Sequence, residues 1–304
     1  MIPFQDITLA DKDTITSFTM KSNRRNCDLS FSNLCSWRFL YNTQFAVVDN
    51  FLVFKFWAGE QLAYMMPVGG DLKAALKELI EDAGKENQPF CMLGVCANMR
   101  AELETILPEQ FTFTEDRDYA DYIYLRSDLS TLKGKKFQAK RNHINRFRNT
   151  YPDYEYAPIT PDRIRECLDL EAEWCKVNNC DQQEGTGNER RALVYALHNF
   201  EALGLTGGIL RVNGKIVAFT FGMPINHETF GVHVEKADTN IDGAYAMINY
   251  EFANHIPEQY IYINREEDLG IEGLRKAKLS YQPVTILEKY MACLKEQPQN
   301  MIKW

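Results

Sequence analysis

Residues 206–238 read TGGILRVNGKIVAFTFGMPINHETFGVHVEKAD. Two apolar runs meet at Asn213-Gly214, a dipeptide that accepts the positive φ of a two-residue hairpin turn. The alternation around it predicts strands over 207–212, 215–222 and 229–236, an antiparallel meander. Downstream the period changes from two to 3.6. Ala244, Ile248, Phe252 and His255 or Ile256 share one face, which predicts a helix from Gly243 to about His255. YIYIN at 260–264 is a short apolar strand, 271–280 a helix, and PVTILEKYMA at 283–292 a closing strand that Pro283 opens. The order is βββ-α-β-α-β. Helical stripes at 163–178 and 189–202 precede it.

The first half gives the same order. Strands fit 45–49, 51–57 and 61–66, and Gly69-Gly70 precede a helix at about 72–83. A strand at 90–95, a helix at 99–107 and strands at 111–115 and 119–126 complete the echo. The expectation is an α/β fold of the α+β type. It is built from two copies of a mixed, mostly antiparallel sheet flanked by helices, over 1–130 and 131–304 and joined near 127–132.

The composition agrees with two globular domains: 304 residues, 45% hydrophobic, 25% charged, 17 Gly and 11 Pro exclude collagen-like, low-complexity and disordered classes. No apolar run approaches the ~18 residues of a membrane span. The N-terminus lacks the charged and apolar regions of a signal peptide. A soluble, cytoplasmic protein without a transmembrane segment is expected. Its eight Cys show no C-x-x-C pair and its five His no H-x-x-x-H pair, so no metal is expected and most of the cysteines read as core thiols rather than disulfides. Nucleotide-binding glycine motifs and the G-x-S-x-G elbow are absent.

Charge is uneven. The net charge is −8, yet Lys133 to Arg148 (KGKKFQAKRNHINRFR) carries seven basic residues and no acid. Phe137, Ile144 and Phe147 recur within it at helical spacing. One reading is a solvated amphipathic helix packed through those three side chains. The other is a phosphate-binding surface for CoA, a tRNA backbone or an anionic lipid headgroup, with Lys136, Lys140 and Arg141 as ligands.

A βββ-α-β-α-β unit with a glycine turn between its third strand and the next helix is similar to the GNAT acyltransferase fold. In that family the turn offers backbone N–H groups to the CoA pyrophosphate at a helix N-terminus. The matching positions here are Asn240, Ile241, Gly243, Ala244 and Tyr245, with Asp242 also reading as a plain helix cap. LKGKKFQAKRNHINRF (132–147), NREEDLGIEGLRKAKLSYQP (264–283), HVEKAD (233–238) and GAYAMINYEFA (243–253) resemble the soluble proteins related to the C-terminal domain of phosphatidylglycerol lysyltransferase. Those are tandem GNAT folds, related to Fem-type peptidoglycan aminoacyl transferases. The resemblance covers essentially the whole chain.

It implies a transferase that moves an acyl group from acyl-CoA, or an aminoacyl group from tRNA, to an amine or hydroxyl acceptor. The narrow basic segment favours CoA; the best-known branch of the family favours tRNA. The chemistry of a GNAT fold lies where its fourth and fifth strands splay. There Glu235 is the first candidate for general base, His233 the second, and Asn264 a candidate to hold a substrate amide or hydroxyl. Tyr281 matches by position the tyrosine that protonates the leaving group. Glu267 and Asp268 suit an amine, or equally an acidic flank to the helix behind them. The first unit reads as degenerate: Pro67-Val68-Gly69-Gly70-Asp71 lacks the turn spacing, and QLAYMM offers only Tyr64. The alternative of another class is a non-catalytic module that binds phosphate-bearing ligands or makes peripheral contact with anionic lipid.

Overall fold

The computed structural model of the chain describes residues 2–180 and 184–295. It forms two compact units, each a mixed sheet with helices. The first sheet contains β1 (Gln5–Asp6), β2 (Gln44–Val48), β3 (Phe51–Ala58), β4 (Gln61–Met65), β5 (Val68–Gly69), β6 (Cys91–Cys96) and β7 (Phe111–Glu115). The second contains β8 (Asp121–Leu125), β9 (Glu155–Pro158), β10 (Thr206–Val212), β11 (Lys215–Pro224), β12 (Thr229–Ala237) and β13 (Tyr262–Asn264). The chain then passes through β14 (Thr285–Leu287) and ends its described part in β15 (Lys289–Leu294).

In the first sheet the order is β1-β2-β3-β4-β6-β15-β7, with β5 on β3. The β4–β6 pair is parallel, so a crossover must join them, and the helix Leu72–Lys85 supplies it. Asp71 caps that helix, its carboxylate accepting from the N–H groups of Lys73 and Ala74. Ala75, Leu76, Leu79, Ile80 and Ala83 recur at helical spacing and are buried against the sheet. Each fully buried leucine there contributes roughly 1.5–3 kcal/mol. Tyr64 is no site residue in this unit: its hydroxyl donates to the Asp82 carboxylate at 2.8 Å, beside the Lys55 ammonium at 3.0 Å from the same oxygen.

In the second unit the sheet has seven strands in the order β14-β8-β13-β12-β11-β10-β9. Asn213 and Gly214 have φ of 51° and 77° and close the predicted β10–β11 hairpin, with Val212 paired to Lys215. The helix Ala244–His255 crosses from β12 to the parallel β13. Its Ala244, Met247 and Ile248 share one core with Leu210, Val217 and Ala218 of the meander. Phe137, Ile144 and Phe147 join that core, so the basic helix packs through the three side chains its spacing singled out.

The mixed α/β architecture matches the expectation; the strand partition differs. Residues 111–115 and 119–126 were expected in one sheet, and 283–292 in the other. Instead β8 pairs with β13 in the second sheet, and β15 inserts between β6 and β7 in the first. The units are therefore discontinuous: 2–121, 267–272 and 286–295 form the first, and 122–266 and 273–285 the second, with residues beyond 295 outside the described residues. An exchange of two strands between the sheets leaves the local hydrophobic alternation unchanged, which is why the sequence does not betray it.

Four of the eight cysteines depart from the core-thiol reading. Cys91 and Cys293 stand directly opposite each other on β6 and β15 and are disulfide-bonded, as are Cys175 and Cys180. Cys27, Cys35, Cys96 and Cys167 are buried thiols outside the two disulfides, as expected. The Cys91–Cys293 pairing spans 202 residues and follows from the β15 insertion, which no spacing rule anticipates. Among the described residues no helix is long and apolar enough to cross a membrane.

Candidate active site

The strands β12 and β13 pair in parallel over Thr229–Gly231 and Tyr262–Asn264, and no further. Beyond that point they part. A β-bulge marks the same place on the other side of β12: Val232 pairs with Gly222 and Val234 with Phe221, leaving His233 as the extra residue. A Cβ on Gly222 would stand 1.8 Å from the Gly231 carbonyl oxygen, so the bulge needs glycine there. The bulge breaks the strict alternation expected of His233 and Glu235.

Two side-chain bridges span the splay. His233 Nδ1 lies 2.7 Å from Glu266 Oε1, and Arg265 Nη2 donates to Glu235 Oε1 at 2.9 Å. The second oxygen of Glu235 accepts from Asn249 Nδ2 at 3.2 Å. Asn264 is fully buried and its Oδ1 accepts from the Glu266 N–H at 2.7 Å, holding the turn in which Glu266 takes a φ of 59°. For a non-glycine residue that is a strained backbone, of the kind found at functional sites.

Arg265 lies between aromatic rings. Its guanidinium is 4.7 Å from the Tyr281 centroid and 5.6 Å from that of Tyr124. The Lys140 ammonium sits 3.8 Å from the Tyr281 centroid, reaching it from the helix Gln138–Thr150. Burial pushes the Tyr281 phenol up, against the opposing pull of Arg265, so Tyr281 keeps its proton at neutral pH. Lys140 behaves oppositely. Partial burial and then the Arg265 charge lower it to about 8, with Glu235 opposing. Lys278 fixes the backbone behind: its ammonium donates to the Arg265 carbonyl, and its own carbonyl accepts from the Tyr124 hydroxyl at 2.7 Å.

The structure thus brings together Glu235, His233, Asn264, Tyr281 and Lys140. It does not bring the other basic candidates with them. The Lys136 ammonium pairs with Asp128 at 2.8 Å. The Arg141 guanidinium donates to the carbonyls of Leu132 and Gly134 and to Gln138 Oε1, tying down the loop before its own helix. Glu267 and Asp268 belong to the first unit, where Glu267 accepts from Lys289 at 2.7 Å and the buried Asp268 pairs with Arg117 at 3.4 Å. Both are consumed by structure.

The glycine turn also has an internal explanation. The Asn240 N–H and Nδ2 both donate to Asp238 Oδ1 at 2.9 Å, and Ile241 packs on the core with Ala244. Gly243 has φ of 83°, and a Cβ there would meet the His143 carbonyl oxygen at 2.8 Å. The glycine lets the basic helix approach the helix Ala244–His255. Asp242 sits at that helix N-terminus and pairs with Arg146 at 2.7 Å. The Tyr245 hydroxyl accepts from Trp174 Nε1 at 3.0 Å. Gly243→Ala should cost about 1–3 kcal/mol, from the φ penalty plus the displaced helix. An unchanged urea midpoint in that variant would refute the packing role.

Sequence reasoning missed Arg265, Asn249 and Tyr124. Arg265 lay inside a quoted motif, hidden among three acids; Asn249 lay in the apolar run of a helix. A buried Asn on a helix face otherwise built of Ala, Met, Ile and Phe was the available signal. Cys27, Asp28 and Asp121 in the first unit form a grouping with metal-ligand chemistry. The Lys289 ammonium already lies 2.9 Å from Asp28 and 2.8 Å from Asp121, supplying the counter-charge a cation would bring.

Comparisons with known proteins agree with this architecture. A conserved protein of unknown function from Bacteroides thetaiotaomicron VPI-5482 is 90% identical, with a TM-score of 0.95 over 97% of this chain and 100% of that one. L-PGS from Bacillus licheniformis shares the fold at 17% identity, with a TM-score of 0.65 over 95% of this chain and 94% of that one. An uncharacterized protein of Mycoplasmoides gallisepticum is 25% identical over 177 residues, 56% of this chain and 55% of its own. The match therefore spans about half the length of that curated relative. The model of the family described as phosphatidylglycerol lysyltransferase, C-terminal, matches residues 19–293, and the chain belongs to that family.

Proposed function

We propose that the second unit transfers an aminoacyl group from an aminoacyl-tRNA to a hydroxyl or amine acceptor. The observation that carries this reading is the polar constellation in the strand splay: Glu235 tied to Arg265, and Tyr281 shared by Arg265 and Lys140. Family membership supplies the reaction class. The choice of donor rests on Asp242, a carboxylate at the one turn suited to a CoA pyrophosphate, where it would repel the ligand. Exposed pairs such as Lys136–Asp128 are worth about 0–1 kcal/mol and yield readily to a phosphate backbone.

Glu235 is a positioning residue in this reading, since both of its oxygens are already engaged. Lys140 is the proton acceptor. Among the described residues it forms no ion pair, it is half-buried, and it is lowered to about 8 despite the Glu235 charge, so a useful fraction is neutral near physiological pH. The acceptor oxygen or nitrogen attacks the ester carbonyl and loses its proton to the Lys140 amine. The bond between the carbonyl carbon and the ribose oxygen breaks, and that oxygen takes the proton back from Lys140. Tyr281, which keeps its own proton, lies under the same amine and fixes its position.

The test is transfer of radiolabelled lysine or alanine from charged tRNA into phosphatidylglycerol vesicles, with labelled acetyl-CoA in parallel. Label in the lipid phase from tRNA alone is the expected result. Label from acetyl-CoA alone reverses the donor assignment, and none from either supports a non-catalytic binding module. Lys140→Arg keeps the charge but cannot give up its proton near neutrality. It should lower kcat/KM by about 10²–10⁴-fold without moving the melting temperature. Because the amine must be neutral to act, kcat/KM in the wild type should rise with pH and level off above about 8. Lys140→Arg should lose that rise.

A further inference from the structure

Two buried side-chain atoms without a hydrogen-bond partner belong to the residues that hold Glu235: Arg265 Nη1 and Asn249 Oδ1. A carboxylate only accepts, so Asn249 must present Nδ2 to Glu235, and its carbonyl oxygen is left facing elsewhere. The Arg265 fork is divided in the same way. Nη2 is spent on the other Glu235 oxygen, and Nη1 is left over. Asn249 is 95% buried and comes from the crossover helix, while Arg265 follows β13. One carboxylate therefore orients one orphaned donor and one orphaned acceptor where β12 and β13 part. Natural proteins rarely leave such groups unpaired without a functional reason.

We propose that Arg265 Nη1 and Asn249 Oδ1 form a recognition pair for an α-amino acyl group, the guanidinium taking its carbonyl oxygen and the amide oxygen its α-ammonium. The naming of the substrate class rests on the transferase reading above; the pairing of donor with acceptor rests on the side chains alone. A cationic donor suits a carbonyl on which negative charge will develop. A neutral carbonyl oxygen suits an ammonium, and Glu235, already neutralised by Arg265, adds attraction without a free negative charge. A plain acyl group satisfies Arg265 and leaves Asn249 orphaned, so the site selects for the α-amine. The amino-acid side chain plays no part in this pair, which fixes the class of the substrate and leaves its identity to other contacts.

The experiment is calorimetric titration of the full chain with glycinamide, alaninamide and lysinamide, against acetamide and propionamide, which lack the amine. The amino-acid amides should bind at least ~10-fold more tightly than their desamino counterparts. Asn249→Leu, similar in volume, should erase that preference, while Lys215→Ala, an exposed change at the β10–β11 turn, keeps it. Equal binding of the two sets, or none by the amino-acid amides, overturns the proposal, and does so on the wild type even if the leucine variant does not fold. The preference without any transfer from charged tRNA leaves the recognition pair standing and sinks the transferase reading. Transfer without the preference does the reverse.

Discussion

Lys289→Met should destabilise the protein by about 3–5 kcal/mol at neutral pH, the usual cost of stranding buried charges. The Lys289 ammonium is 4% exposed and touches Asp28, Asp121 and Glu267 at 2.7–2.9 Å, with the Cys27 sulfur at 3.6 Å. Burial alone would lower its pKa; Asp121 and the other acids outweigh that and hold it well above the ordinary lysine value. Its contribution is therefore complete below the unfolded lysine pKa of 10.5 and is lost only as pH rises through the higher folded value. Asp28 has the opposite dependence. Burial would raise it, but Lys289 holds it below 3.8, so its contribution exists above that pH and is lost as pH falls through the folded pKa. Without the ammonium, only the hydrogen bonds from Asn26 and the backbone N–H oppose burial at Asp28. The gap between wild type and Lys289→Met should then widen from pH 4 to pH 7 in urea titrations. A gap under 1 kcal/mol at pH 7, or one that narrows with pH, rules out the ammonium as the counter-charge of the cage.

Arg265→Ala should cost a comparable ~3–5 kcal/mol. It removes the partner of a Glu235 side chain that is 14% exposed and leaves Asn249 as its remaining hydrogen bond. It also removes a cation from the faces of Tyr124 and Tyr281, worth about 0.5–2 kcal/mol when desolvated. Arg265→Lys should recover part of the stability, since an ammonium still pairs with Glu235. It should recover none of the preference for amino-acid amides, because a lysine has no second fixed N–H to replace Nη1. Lysine restoring both would refute the assignment of Nη1.

The sequence determined a good deal. Asn213-Gly214 fixed a hairpin because only residues tolerant of positive φ close a two-residue turn. Asp71 and the stripe behind it fixed the helix Leu72–Lys85, since capping and period are local properties. Phe137, Ile144 and Phe147 declared the buried face of the basic helix in the same way. Glu235 and Tyr281 were legible as site candidates from motif and position. Only the tertiary structure decided where β8 and β15 pair, because strand partnership between distant segments leaves no mark on period-two alternation. That decision carries the Cys91–Cys293 bridge and the cage around Lys289 with it. The partner of each charged side chain was decided the same way. Whether a lysine meets a phosphate, a carboxylate or an aromatic ring depends on what other elements bring within 4 Å of it. Lys136 met Asp128, Lys140 met Tyr281 and Lys289 met three acids. Pairing and burial are non-local, and they set the charge state and freedom of each group.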